Sequence, residues 1–217
     1  MIFRGIPRNN EEHIIRKLKY KIKILSSFVQ MQTFASFEQA LDYYVSFLKG
    51  EHEECPTHGP LDHETKCIIE PLIEINRSGF LTLDSQPATY KRRGDKRWRQ
   101  HEYVYGITNN VSLKMLAQLG PEFEVYSVPL PCVKTATIQT APPSVEEHKK
   151  DGEWISQDDP SEFHLSEIAS SDYEMLFGEK EILGLFAVFV FDTLLPSSSK
   201  DSRKGLLCKQ MAEVLSL

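Results

Sequence analysis

The sequence predicts a single α/β domain over residues 1–217: a mixed sheet of about four or five strands with helices packed on it. Three observations carry this expectation. Segments with helical spacing of apolar residues alternate with short segments of strand character. The run from Leu183 to Leu194 is apolar on both faces, as a central, doubly covered strand requires. The chain has 217 residues, 41% hydrophobic and 26% charged, enough for an ordinary core without metals or disulfides.

Taken in order, residues 10–30 fit two patterns. Lys17 to Ile24 alternates with period two, while Ile14, Leu18, Ile22, Leu25 and Val29 share one helical face. A helix giving way to an extended segment near Ser27 is the reading adopted. Ser36-Phe37-Glu38-Gln39 is a capping box. Phe37, Ala40, Leu41, Tyr44 and Leu48 then recur at helical spacing up to Gly50, which predicts a packing helix and not a site. Residues 51–61 read as loop, since Pro56, Gly59 and Pro60 forbid regular structure. Asp62 can cap the next helix. Pro71 predicts a kink there, or two short helices.

Gly79 stops the second piece and Phe80–Leu83 is a strand. Residues 85–100 are expected to be a turn and a strongly polar loop, and His101–Thr108 a second strand. Asn110 or Ser112 can cap a short helix ending at Gly120. Phe123–Val128 is a third strand and Val133–Thr140 a fourth. Residues 141–162 read as a linker, flexible or inserted, because of Pro142-Pro143 and the charge run from Glu146 to Asp151. Ser171 can cap a helix through Phe177. A last helix is expected to bury Leu206, Leu207, Met211, Val214 and Leu215.

The stretch Pro71-Leu72-Ile73 through Asn76-x-x-Gly79-Phe80-x-Thr82-x-x-Ser85-Gln86-Pro87, followed by Arg99-Gln100 and Val104-x-Gly106, resembles a family of uncharacterised proteins of bacteria and large DNA viruses. The likeness covers roughly half of the chain. It departs where Ala88 follows the proline and where His101-Glu102 follows Gln100. The family has no assigned activity, so the resemblance implies an α/β domain and no reaction.

Charge and composition narrow the partners. Lys and Arg total 25 against 31 Asp and Glu, a net charge of −6, so nucleic acid is not the favoured partner. No run reaches the roughly 20 apolar residues of a membrane span. The N-terminus lacks the apolar centre of a signal peptide. Cys55, Cys67, Cys132 and Cys208 form no disulfide framework, so reduced thiols and an intracellular, cytoplasmic protein are expected.

Candidate sites follow from side-chain chemistry. Asn76, Thr82, Ser85, Gln86 and Gln100 offer hydroxyls and amides that donate and accept without charge. With Arg99 as a charged fork and Trp98 as a cover, they are the expected site for a small phosphorylated or nucleotide-like ligand in the 82–106 region. The competing structural reading has Asn76 and Ser85 as caps and Gln86 closing a turn.

A hydrolase using Ser85 as nucleophile, His101 as base and Glu102 or Asp84 as orienter is the alternative. Adjacent strand residues point to opposite faces, which separates His101 from Glu102. There is no nucleophile elbow and no phosphate-cradling glycine loop. Whether the chain is an enzyme stays open at this level.

Cys55, His58, His63 and Cys67 have a C-x2-H-x4-H-x3-C spacing that matches no standard zinc site, so no metal or cofactor is expected. Lys91-Arg92-Arg93-Gly94-Asp95-Lys96-Arg97-Trp98-Arg99 sets six cations around one Trp, which suits local phosphate contact or a solvated loop. A protein-interaction module acting through the acidic 144–162 segment and Trp154 is the third class considered.

Overall fold

The computed structural model describes residues 33–55, 60–130, 135–140, 144–156, 164–169, 176–177, 182–200 and 203–217. They belong to a unit spanning Thr33–Leu217. The segment 10–30, His58 and Cys132 lie outside the described residues, as does most of the helix expected from Ser171 to Phe177.

Helix α1, Phe37–Leu48, forms as its capping box dictates. Ser36 Oγ accepts from the Gln39 amide at 3.2 Å. The Gln39 side chain reaches back one residue further than expected, accepting from the Ala35 amide at 2.6 Å. Asp62 Oδ1 accepts from the Glu64 amide and starts a 3-10 helix, Glu64–Ile68. Helix α2, Ile69–Arg77, follows directly. Pro71 falls in the first turn of α2, where its missing amide hydrogen costs nothing, so the break lies before the proline.

The strands are β1 (Phe80–Gln86), β2 (Thr89–Arg93), β3 (Lys96–Gln100), β4 (Tyr103–Asn109), β5 (Phe123–Pro129), β6 (Thr135–Thr140), β7 (Ser144–Lys150), β8 (Glu153–Ser156), β9 (His164–Ala169) and β10 (Leu185–Asp192). Helix α3, Asn110–Leu116, follows β4, and α4, Leu206–Leu215, closes the fold. Asn109, one residue before the expected caps, starts α3 by accepting from the amides of Val111 and Ser112.

Three corrections to the expected architecture follow. The sheet is not mixed: every pairing among the described strands is antiparallel. There is also more than one sheet. A core sheet has the order β1-β4-β10-β5, an arm sheet the order β2-β3-β7-β8, and β6 pairs with β9. Finally, the polar loop expected at 85–100 is the β2–β3 hairpin, and residues 144–156 of the expected linker are the β7–β8 hairpin. Both hairpins escaped detection because their side chains are polar on both faces and give no alternation. Gly94, at φ 61°, makes the left-handed turn between β2 and β3.

β10 lies between β4 and β5, so the expected central strand is an inner strand. Register puts Ser85, Val104, Val190 and Val125 on one face. Helices α1 and α2 lie against β1, and α4 against α2 and α3. Phe80, Val104, Val188, Val190, Leu207 and Met211 are wholly buried. Gly106 lets β1 approach β4: a Cβ there would sit 2.1 Å from the Leu81 carbonyl oxygen. The opposite face carries Tyr103, Tyr105, Phe189, Phe191 and Tyr126 with ring centroids 5.4–6.4 Å apart.

Candidate functional site

β1 is an edge strand, and it carries an extra residue. The pairing shifts between Thr82 and Asp84, so Leu83 is a bulge opposite β4. Asn76 on α2 holds this irregularity. Its Oδ1 accepts from the Thr82 amide at 3.1 Å, and its Nδ2 donates to Thr82 Oγ1 at 2.7 Å and to the Leu72 carbonyl at 2.8 Å. Asn76 is wholly buried and fully engaged, so its work is architectural.

A pocket of about 480 Å³ opens along the free edge of β1. One wall is β1 itself, with Thr82, Leu83, Asp84, Ser85 and Gln86. Another is α1, with Tyr44, Phe47 and Leu48. Cys55 and the segment Pro60–His63 close the third side, and Thr65 and Leu72 form the rest. The volume falls within the range of small-molecule sites. Tyr44 and Phe47 supply aromatic surface, contrary to the expectation that α1 only packs. Among the described residues no Lys or Arg lines the pocket, whereas Asp62, Asp84 and His63 do.

The polar groups are partly committed. Asp84 Oδ2 accepts from the Tyr103 hydroxyl at 3.0 Å. Burial, then the Asp84 charge, pushes the Tyr103 hydroxyl well above its ordinary range, so it stays a donor. Gln86 Oε1 accepts from Gln100 Nε2 at 3.3 Å. Asp62 Oδ1 is taken by the Glu64 amide.

The structure divides the expected site. Thr82, Ser85 and Gln86 meet in the pocket, and Asn76 and Gln100 support them from behind. Trp98 and Arg99 do not join them. They lie on β3 in the arm, where Arg99 gives Nε and Nη2 to Glu147 at 2.7 and 2.8 Å. Arg97 makes the same two-point contact with the same carboxylate. Burial would raise the Glu147 carboxyl, but the two guanidinium forks outweigh it and hold it below its ordinary value. Arg99 is therefore already paired. Lys91 Nζ lies 5.0 Å from the Trp98 ring centroid.

His101 and Glu102 are also placed elsewhere. Glu102 is wholly buried, and its two oxygens accept from the Gly205 and Cys208 amides at 2.7 and 3.0 Å. It caps the N-terminus of α4 from another part of the chain, which uses the dipole of that helix. Burial nonetheless raises its carboxyl above the ordinary value. Burial likewise lowers His101, whose Nδ1 donates to the Asp192 carbonyl at 2.7 Å. Asp192 in turn holds Arg203 through Nε at 2.8 Å. His101 and Ser85 share no hydrogen bond, and His101 is absent from the pocket wall that Ser85 lines.

The zinc candidates separate as well. Cys55 and His63 line the pocket, while Cys67 is exposed and its thiol contacts the Glu64 carbonyl. Among the described residues no three His, Cys, Asp or Glu side chains gather as a metal site. Among the described residues Cys55, Cys67 and Cys208 form no disulfide. Among the described residues no helix is long and apolar enough to cross a membrane.

Sequence reasoning missed Tyr44, Phe47 and Asp62 as lining residues, and weighed Asp84 only as an orienter for the hydrolase reading. The signal available was the abrupt change from Phe80-Leu81-Thr82-Leu83 to Asp84-Ser85-Gln86, which marks a strand whose outer edge is uncovered. Residues 32–140, half of the chain, match a family described as a domain of unknown function (DUF6919). That agrees with the resemblance to an uncharacterised family. The matched span holds every residue that lines the pocket and ends before β7. No curated protein matches the chain.

Proposed function

We propose that this chain, which belongs to the DUF6919 family of domains of unknown function, binds a small uncharged polar ligand of the nucleoside or sugar class along the edge of β1. One observation carries this reading: a pocket of about 480 Å³ sets Thr82, Asp84, Ser85 and Gln86 against Tyr44 and Phe47, with no Lys or Arg among the described residues of its wall. Hydroxyl, amide and carboxylate groups suit ribose hydroxyls and base edges, and an aromatic wall suits a ring. A phosphorylated ligand draws less support, because Arg99 is held by Glu147 and the pocket carries two carboxylates. The hydrolase alternative would need His101 near Ser85, and His101 is engaged with Asp192 instead. We place the protein inside the cell, a reading supported by the reduced Cys67 and Cys208.

The test is calorimetric titration of wild type and of Asp84→Asn and Gln86→Ala with nucleosides, free sugars and the corresponding phosphates. The expected result is heat from an unphosphorylated member of the set and weaker binding in both variants. Binding confined to the phosphorylated compounds would overturn the uncharged-ligand reading. A silent panel, with pocket-facing resonances of wild type unmoved, would remove the pocket as a ligand site.

A further inference from the structure

We propose that the arm sheet binds single-stranded nucleic acid on the face that carries Arg92, Arg97, Lys149 and Trp154. The surface is separate from the β1 pocket and rests on different observations. Residues 89–100 and 144–156 hold eight cations against five carboxylates, a local charge of +3 in a chain of net −6. The chain thus concentrates positive charge on one sheet while the remainder is acidic, which steers a polyanion to that sheet.

Register sets the arrangement on this face. Arg92 stands opposite Arg97, Arg97 opposite Glu147, and Lys149 opposite Trp154. The Arg97 guanidinium lies 4.4 Å from the Trp154 ring centroid and that of Arg92 lies 5.3 Å from it. Two like charges placed opposite each other repel, and a single carboxylate, Glu147, serves both Arg97 and Arg99. The trio of two arginines and one carboxylate keeps one net positive charge. On this face Arg92 and Lys149 are exposed and have no carboxylate partner among the described residues; Arg93 and Lys150, next along their strands, face the other side of the sheet. Lys91 and Lys96 do have partners, Glu64 and Glu146, but those pairs are exposed and hold the lysines weakly.

The occupant follows from the mixture of groups. The unpaired Arg92 on β2 and Lys149 on β7, with the net positive trio between them, match the repeated charge of a phosphate backbone. The flat planes of Trp154 and its guanidinium neighbours match unstacked bases, which a duplex keeps inside. An acidic polypeptide would use the cations and leave the ring planes idle. Glu147 keeps Arg97 in a fixed orientation, so less freedom is lost when a strand settles on it.

The test uses the full chain and fluorescence anisotropy with labelled single-stranded oligonucleotides of about 20 nucleotides, long enough to cover such a platform. The competitors are a duplex of the same sequence and polyglutamate. Binding should be strongly salt-dependent and accompanied by quenching of tryptophan fluorescence. Arg92→Glu with Lys149→Glu should weaken it by roughly ten-fold or more and flatten the logarithmic salt slope by about 1.4, for two lost phosphate contacts on that face. Arg92→Glu alone provides a second variant, with a smaller loss of affinity, should the double variant fail to fold. Three results would each sink the proposal: no binding at low salt, affinity unchanged in the folded variants, or equal affinity for the duplex or polyglutamate.

Discussion

At the residue scale, the polar side chains that looked most chemical are the ones the fold spends on itself. Asn76 is buried with three hydrogen bonds around the β1 bulge. Asn76→Ala should cost about 1–3 kcal/mol, the penalty for leaving the buried Thr82 amide without a partner; urea denaturation measures it. Arg99→Ala should destabilise by a similar 1–3 kcal/mol through its charged hydrogen bonds to Glu147, while ligand binding at the pocket stays unchanged. His101 gives a pH signature. Burial holds its folded value below the ordinary one of about 6.5. Between those two values the unfolded chain binds a proton that the folded chain refuses, so stability falls as pH drops below about 6.5. His101→Asn keeps a donor toward the Asp192 carbonyl and removes the titration. Its denaturation midpoint should fall less than that of wild type between pH 7.5 and 5.5, an interval set around the ordinary histidine value. An equal fall in both proteins would place the effect elsewhere.

At the element scale, what was legible depended on whether burial on one face left a period in the sequence. Helix α1 was readable because Ser36 and Gln39 mark its start and Phe37, Ala40, Tyr44 and Leu48 mark its buried face. β10 was readable because Val188 and Val190 on one face and Ala187 and Phe191 on the other are all buried. β2, β3, β7 and β8 were unreadable because they bury little on either face. The pocket was half legible for a related reason. Thr82, Ser85 and Gln86 are adjacent in sequence, but Tyr44 and Phe47 reach them only through the packing of α1 on β1. The burial pattern also ranks the aromatic positions of the core sheet. Phe189 is half-buried, whereas Phe80 is wholly buried beside Gly106. Phe80→Ala should therefore cost about 3–5 kcal/mol and Phe189→Ala less. The opposite order in chemical denaturation would mean that the aromatic face, not the helix-covered face, is the main core.

At the scale of the whole molecule, two sheets share one pair of strand paths with different physics at each end. β1 runs into β2 through Pro87-Ala88, and β3 runs into β4 through His101-Glu102. Below that passage the core sheet is fastened by apolar burial, and by Glu102 and Asp192 gripping the start of α4. Beyond it the arm buries few side chains, chiefly Gln100 and Glu147, and depends on ladder hydrogen bonds, guanidinium pairs and cation–ring contacts. Ladders without an apolar face contribute little net stability, since water offers the same hydrogen bonds. The arm should therefore open without the core. Native-state hydrogen exchange should find the amides of β4 and β10 protected to the global unfolding free energy, and those of β2, β3, β7 and β8 exchanging through smaller openings. Raising the ionic strength should speed arm exchange further, because its exposed pairs Lys91–Glu64 and Lys96–Glu146 are screened by salt, and leave β10 unaffected. Equal protection in both sheets would show that arm and core unfold as one unit, and that the passage at Pro87 and His101 is no boundary.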